Sequence, residues 1–488
     1  MVTHDDKMIV EAGDSIELAI FDLNQHGQGV GRFNGMIVFV DGALPGETVN
    51  TTIVSVKKNY AVGMINQLLD SSPDRVDPLC PLAESCGGCA VQHMSYEAQL
   101  KWKHEHVAGL FDRTCPAGWQ RNKLMPIIGM NDPWYYRGKV QIPFSGDVNK
   151  PVAGFYARRS HEIIDGDVCY IQHPIADVVR AVVREYIIEN KLQPYNEKSH
   201  KGTIRHVVVR TGYFSGQVMV IIVTNEDELP CLSELTESLQ FRISKWLSDG
   251  QKPPNSNTED QTERQKFILT SLWLNINQSK GNIVLGDDLR LLFGQEYMIE
   301  EILGVKYRVS PRSFFQVNPH QTVVLYQEVL RMADLKGTET VLDLYCGTGS
   351  ISLLLAREAG FVRGVEIVGE AIDDAWLNAK SNNITNVDFI ASAAEKWLPT
   401  YLEDGGKADM AVIDPPRKGC DVDFISALCE SEIPVLIYVS CNPATLVRDL
   451  SMLRESYEIA AVRAVDMFPH SDSVECVVRM EKITVKSP

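Results

Sequence analysis

The 488 residues contain no apolar run of the roughly eighteen residues that a membrane-spanning helix requires. The opening stretch MVTHDDKMIVEAGD is polar and acidic, without the apolar heart of a secretory signal, so the expected compartment is the cytoplasm. Positive charge is also short, with 47 Lys and Arg against 64 Asp and Glu and a net charge of -17. That balance argues against a generic polyanion binder, whose phosphate contacts need lysine and arginine, although local distribution matters more than the total. Eleven cysteines, an odd number spread thinly, argue against a disulfide framework and leave reduced thiols, a metal site or catalysis. No internal repeat is visible.

What remains is ordinary globular composition, 44% hydrophobic and 23% charged, in a chain long enough for about two to four domains. Residues 15–69 read as short strands (SIELAIFDL, GMIVFVDG, VNTTIVSVKK, YAVGMINQLL) broken by HGQGVGRFNG and ALPGE. This rhythm predicts a small β-barrel, an architecture that often binds oligonucleotides. A mixed region follows, with strand-like RHVVVRTG and QVMVIIVT, and the polar, aperiodic stretch 249–265 reads as an exposed loop. Basic residues gather at Arg137, Lys139, Lys150, Arg158 and Arg159, and again at Lys201, Arg205, His206 and Arg210. Taken alone they describe a solvated mixed-charge surface.

From about residue 320 the chain alternates strand and helix: VLDLYCG, VRGVEIV, NVDFIAS, MAVIDPP and VLIYVSC are separated by helical stretches. The alternation predicts a doubly wound parallel sheet, whose ligands sit at the carboxyl ends of the strands. DLYCGTGS (343–350) follows one strand and opens a helix, so Gly347 and Gly349 would let backbone approach a ligand. Glu366 ends the next strand, placed to accept hydrogen bonds from ribose hydroxyls. The dinucleotide pattern G-x-G-x-x-G fails because position 352 is Ser. S-adenosylmethionine, which has ribose and adenine but no pyrophosphate, is the alternative, and Asp414 at the end of a fourth strand supports it.

LIYVSCNPATL (436–446) delivers Cys441 to the same rim, just ahead of Pro443, which stops the strand. Cys346, Cys429 and Cys476 read as buried structural thiols, and Cys420 as incidental. A thiol beside a methyl donor makes sense for an acceptor that is a weak nucleophile, such as carbon 5 of uracil. Thiolate addition at carbon 6 activates carbon 5, and a base must then remove the carbon 5 proton. Glu475 and His470 both offer a base near the carboxyl end; Glu475 is favoured because a desolvated carboxylate has a raised pKa.

With FFQVNP (314–319), DLYCGTGS, VEIV, DPPRKG and YVSCNPATLVRDL, the chain resembles the RNA uracil-5-methyltransferase family, in the branch with an amino-terminal TRAM barrel and an iron-sulfur cluster. The resemblance covers nearly the whole chain. It implies a multi-domain α/β protein: a TRAM-like barrel over residues 13–71, a central α+β domain with the iron-sulfur site over 72–315, and a Rossmann-like class I methyltransferase domain over 316–488. It implies that Gln316, Tyr345, Glu366 and Asp414 contact S-adenosylmethionine, with Ser350 added where relatives often carry Asn, that Cys441 is the nucleophile and that Glu475 is the base. The familiar histidine two places before that glutamate is here Ser473.

The C-x5-C-x2-C run at Cys80, Cys86 and Cys89 needs a fourth ligand, and spacing alone leaves zinc open. The resemblance implies a 4Fe-4S cluster completed by Cys169, with Cys115 as second choice. It also implies 23S ribosomal RNA as substrate, with transfer RNA as runner-up, held by the barrel and by the basic segments near Arg158 and Arg205. No membrane and no obligate protein partner are inferred. A noncatalytic iron-sulfur RNA-binding or assembly protein is the competing class, and the presence of both Cys441 and Glu475 speaks against it.

Overall fold

A computed structural model describes residues 10–114, 116–246 and 266–483. Cys115 and the 249–265 loop lie outside the described residues. No helix among them is long and apolar enough to cross a membrane.

The first strands, β1 (Ser15–Leu23), β2 (Gly29–Phe33), β3 (Met36–Asp41), β4 (Thr48–Val56) and β5 (Tyr60–Asp70), close into a barrel in the order β1-β2-β3-β5-β4. Closure removes the free edges that so small a sheet would otherwise expose. Alternating residues of β1, β3 and β4 fill its core: Leu18, Ile20, Val38, Val40, Val49 and Ile53.

Next in chain order are α1 (Tyr96–Thr114), β6 (Leu124–Ile128), β7 (Lys139–Asp147), β8 (Lys150–Tyr156), β9 (Ile163–Asp165), α2 (Ile175–Glu189), β10 (Ile204–Thr211), β11 (Gln217–Thr224), α3 (Leu232–Lys245), β12 (Ile268–Ile276) and β13 (Asp288–Gly294). Among the described residues, β7 to β13 without β6 form a sheet in the order β13-β12-β11-β10-β7-β8-β9, and α2 and α3 contribute to its apolar core. A hairpin of β14 (Met298–Ile302) and β15 (Val305–Val309) leads into the last region.

There the elements are α4 (Pro319–Ala333), β16 (Thr340–Leu344), α5 (Ser350–Leu355), β17 (Phe361–Glu366), α6 (Gly369–Ser381), β18 (Val387–Ala391), α7 (Ala394–Glu403), β19 (Met410–Ile413), α8 (Val422–Glu430), β20 (Val435–Ser440), α9 (Pro443–Leu453), β21 (Tyr457–Val465) and β22 (Glu475–Lys482). The sheet order is β18-β17-β16-β19-β20-β22-β21-β6. Strands β16 to β20 are mutually parallel, whereas β22 runs antiparallel to both β20 and β21. Chain order reverses between β16 and β19, the switch point where such sheets open a ligand crevice. The edge strand β6 comes from far upstream, and Val107, Phe111 and Leu124 belong to the same core as β19 and β20, so this sheet's core draws on residues well before position 316.

The chain divides into two compact units. One is the chain up to His106 with Tyr156–Ser160 and Phe468–Asp472; the other is Val107–Phe155, His161–Met467 and the residues from Ser473 onward. Within the first, the buried Glu47 pairs with Arg75, Nε to Oε1 at 2.5 Å and Nη2 to Oε2 at 2.8 Å. Burial pushes the Glu47 carboxyl up, but Arg75 and the Leu44 and Ser72 N–H groups outweigh it and hold the carboxyl below its ordinary 4.5. The pair ties the barrel to the chain that leads into the cysteine segment. Arg75→Ala leaves that carboxylate buried without its cation, and an unfolding titration should read a loss of about 3–5 kcal/mol. In the wild type this contribution is present above about pH 4.5 and fades as pH falls through the lowered folded value.

Candidate active site

Parallel strands bring their last residues to one rim, and an antiparallel neighbour brings its first. Accordingly β17 ends in Glu366, β19 is followed by Asp414 and β20 by Cys441, while β22 begins with Glu475. The register pairs Ser440 with Cys476, which sets Glu475 opposite Cys441. The Ser440 hydroxyl bridges the turn, donating to Asn442 O and accepting the Asn442 N–H, both at 3.1 Å. Asn442 caps α9 by accepting the Ala444 N–H at 3.1 Å, and Pro443 occupies the first turn, where no amide hydrogen is needed. Strand end, turn and helix start thus leave the thiol half-buried at the rim.

The electrostatics follow from burial among like charges. Glu475 is buried, and desolvation, reinforced by Asp414, pushes its carboxyl up to about 8 against a smaller opposing effect of Arg417. Desolvation and Asp343 raise Asp414 to about 7, and desolvation raises Asp343 to about 7. Cys441 is pushed up to about 11, by desolvation first and then by Glu475 and Asp414, with Arg417 opposing. Three carboxyls therefore share a rim on which Arg417 is the cation acting on both Cys441 and Glu475.

The glycine turn divides its labour. Gly349 (φ +77°) caps α5, and a Cβ there would meet Phe389 at 3.0 Å and Ala375 at 3.2 Å, so packing requires this glycine. Gly347 (φ +55°) would point a Cβ into open space, and its N–H donates to Glu366 Oε2 at 3.2 Å. The other oxygen, Oε1, accepts the Val368 N–H at 2.9 Å. A carboxylate fixed by two amides still has lone pairs for further donors.

Other expected cofactor residues are less simply placed. Tyr345 donates its hydroxyl to Glu395 at 2.9 Å and packs edge-on against Phe424, which commits the ring to α7 and α8. The Ser350 hydroxyl accepts from Tyr326 at 3.0 Å. Gln316 is half-buried on the FFQVNP loop. That loop is braced by Arg210, which donates to Pro311 O at 3.2 Å and Ser313 O at 2.6 Å, and by Gly138 N–H, which donates to Val317 O at 2.7 Å.

These contacts correct the expectation for part of the basic segments: Arg205, His206 and Arg210 are not surface cations, whereas Lys150, Arg159 and Lys201 are exposed. Arg210, Arg205 and His206 are buried; Arg205 stacks on Tyr195 at 4.3 Å and donates to Ser279 O at 2.8 Å. Arg158 donates to Cys89 O at 2.7 Å. Each guanidinium satisfies carbonyls inside the fold. His470 likewise is buried in the first unit, where its N–H donates to Gln99 Oε1 at 2.9 Å. Cys420 is buried and donates to the Tyr438 hydroxyl at 3.5 Å. Asp343, near the end of β16, has a buried Oδ1 with no hydrogen-bond partner. Residues that the sequence reading left out of the site include Arg417 within DPPRKG and the exposed side chains Phe314 and Ile367, 71% and 69% accessible. Large apolar groups beside polar motifs were the available signal for the last two.

In the cysteine segment, Gln92 donates to Cys89 Sγ at 3.1 Å and accepts the Cys80 N–H at 3.2 Å, and Gly88 N–H donates to Cys86 Sγ at 3.4 Å. N–H donors at sulfur suit thiolate ligands. Among the described residues no three His, Cys, Asp or Glu side chains form a group able to hold a metal ion. Cys169 lies in the second unit, its N–H donating to Asp177 at 3.4 Å.

A parallel sheet closed by one reversed strand, with a glycine turn after its first strand and a carboxylate ending its second, defines a class I methyltransferase fold. The chain belongs to the RNA uracil-5-methyltransferase family, whose members are S-adenosylmethionine-dependent. The model of the tRNA (uracil-5-)-methyltransferase family matches residues 276–483, and that of the TRAM domain matches 10–65. An uncharacterized RNA methyltransferase of Halalkalibacterium halodurans is 42% identical over 473 residues, covering 97% of this chain and 98% of the relative. One from Clostridium tetani is 42% identical over 472 residues, covering 96% and 97%. The crystal structure of Pyrococcus abyssi tRNA (uracil-54, C5)-methyltransferase in complex with S-adenosyl-L-homocysteine superposes with a TM-score of 0.75 at 27% identity, over 95% of this chain and all of that one.

The raised carboxyls make a stability prediction. Asp343, Asp414 and Glu475 bind protons more tightly folded than unfolded, so their contribution is full below about pH 4 and is lost as pH rises through about 7 to 8. Without cofactor, the thermal midpoint should fall as pH rises over this range, and Glu475→Gln should flatten the upper part of the curve.

Proposed function

We propose that this chain methylates carbon 5 of a uridine in 23S ribosomal RNA, with Cys441 as nucleophile and Glu475 as base. The observation that carries the chemistry is the register that sets Glu475 opposite Cys441 at a rim of buried carboxyls. Such a rim favours a sulfonium cation over an anionic pyrophosphate, and a cation placed there would draw the raised carboxyls back toward their charged forms. Glu366 would take the ribose hydroxyls and the exposed Ile367 beside it would face the adenine; the free Oδ1 of Asp343 is an acceptor for a donor on the cofactor.

Bound S-adenosylmethionine supplies an electrophilic methyl group. The Cys441 thiol gives its proton to solvent, with Arg417 favouring the thiolate, and the thiolate adds to uracil carbon 6; the carbon 5–carbon 6 electron pair shifts toward the carbonyl oxygen, so that carbon 5 becomes nucleophilic. Carbon 5 takes the methyl as the methyl–sulfonium bond breaks and its electron pair stays on the donor sulfur, leaving S-adenosyl-L-homocysteine; the Glu475 carboxylate then accepts the carbon 5 proton, the double bond reforms and the Cys441 sulfur leaves as thiolate. The base must leave its stack to reach Cys441.

The ribosomal assignment rests on the resemblance to the branch with both TRAM barrel and cysteine segment. Transfer RNA is the second reading, favoured by the likeness to the Pyrococcus abyssi enzyme. For the cysteine segment we propose a 4Fe-4S cluster, supported by the resemblance and by the N–H donors at Cys86 and Cys89.

Mass-spectrometric mapping of 5-methyluridine in cells lacking the protein, complemented by wild type or Cys441→Ala, tests the reaction. A ribosomal mark should return with wild type alone; a restored transfer RNA mark would replace the substrate, and no restored mark in either pool would sink the reading. Glu475→Gln should accumulate a protein–RNA adduct on denaturing gels, because the sulfur cannot leave until the carbon 5 proton does. Anaerobically purified protein should carry about four irons with matching sulfide per chain, lost in Cys80→Ser; an iron-free, zinc-loaded wild type would overturn the cluster.

A further inference from the structure

The helix that begins behind the thiol grips the loop that carries the cofactor-side carboxylate. Asn442, Thr445, Arg448 and Asp449 recur at helical spacing and so share one face of α9. All four meet residues 414–420. Asn442 Nδ2 and the Thr445 hydroxyl donate to Arg417 O at 3.3 and 3.2 Å, and Arg448 Nη2 donates to Lys418 O at 2.9 Å. Asp449, which is fully buried, accepts the Cys420 N–H at 2.8 Å and the Tyr438 hydroxyl at 2.7 Å on Oδ2, and Arg448 at 2.6 Å on Oδ1.

The loop is shaped for this grip. Gly419 (φ +78°) closes a turn through its N–H to Pro416 O at 2.8 Å, and a Cβ there would lie 2.5 Å from both Arg448 Nη2 and Asp449 Oδ2. A buried carboxylate is a poor way to gain stability, since apolar replacements of buried ion pairs are often neutral or better. Its directional bonds accomplish something else: they fix the far end of the loop whose near end is Asp414 and whose middle is Arg417.

We propose that Asp449 is a positioning residue for methyl transfer, locking residues 414–420 to the helix that follows Cys441 so that the cofactor-side carboxylate, the Arg417 cation and the thiol keep one geometry. This rests on the preceding reading of Cys441 and Asp414. The groups facing the thiol side of this arrangement are Asp414 on the loop, Glu475 on β22 and Arg417, with Asp343 on β16 behind Asp414.

The test uses the full chain with Asp449→Asn, which keeps an acceptor oxygen but loses the charge, and Gly419→Ala, which forces the loop off Arg448 and Asp449. Methyl transfer to RNA from cells lacking the protein should show kcat down about tenfold or more with KM for RNA within about twofold. Iodoacetamide labelling, mapped by mass spectrometry without RNA, should show Cys441 alkylated about threefold more slowly and its pH profile moved upward as Arg417 withdraws, while the exposed Cys231 is unchanged. Unchanged kcat and unchanged Cys441 labelling in both variants would overturn the role. So would activity loss accompanied by labelling of the buried Cys420 and Cys476, which would make Asp449 a fold residue only. If Asp449→Asn does not fold, Gly419→Ala carries the test. A wild type that methylates no uridine would defeat the preceding reading, whereas an active wild type with indistinguishable variants would defeat this one alone.

Discussion

The site depends on a reversal of chain direction within a parallel sheet. Strand β22 enters between β20 and β21 running the opposite way, so its first residue reaches the rim where its parallel neighbours place their last. Cys441 and Glu475 are 34 positions apart in sequence and adjacent through this pairing alone. The register is tightly held, because Cys476, Val477 and Val478 are fully buried and a one-residue slip would turn every β22 side chain to the opposite face.

That placement has an electrostatic consequence. Carboxyls from β16, the β19 end and β22 are brought together, so that desolvation raises all three, Asp343 adds to the rise of Asp414 and Asp414 to that of Glu475, with Arg417 opposing at Glu475. Raised in this way, the carboxyls hold protons near neutral pH, and a cationic group placed among them would draw them toward their charged forms.

Local chemistry then fixes individual atoms. Ser440 spans the thiol turn, Pro443 starts a helix where an amide hydrogen is dispensable, and α9 returns along residues 414–420 with a run of donors ending in the buried Asp449. Between β21 and β22 the chain also contributes Phe468–Asp472 to the other compact unit, where Ala90 and Val91 donate to His470 O at 2.8 and 3.0 Å. His470 is therefore occupied in building that unit, and Glu475 stands as the carboxylate next to the thiol.

Motifs that act through their own backbone were legible in the sequence: the glycine turn, the carboxylates at strand ends, the thiol before proline and the short-stranded barrel. Each depends on residues a few positions apart, which is the range over which periodicity and turn chemistry operate. Arg205 and Arg210 could not be told from surface cations, since only the fold reveals the carbonyls of 279 and 313 that they satisfy. The Ser350 hydroxyl was equally ambiguous until Tyr326 was seen to claim it. The sequence by itself determined the kinds of groups available and the strand or turn that carries each. Which of them meet, at what burial and therefore at what pKa, was decided by strand order, register and helix-to-loop contacts, because those pairings join residues that no local pattern relates.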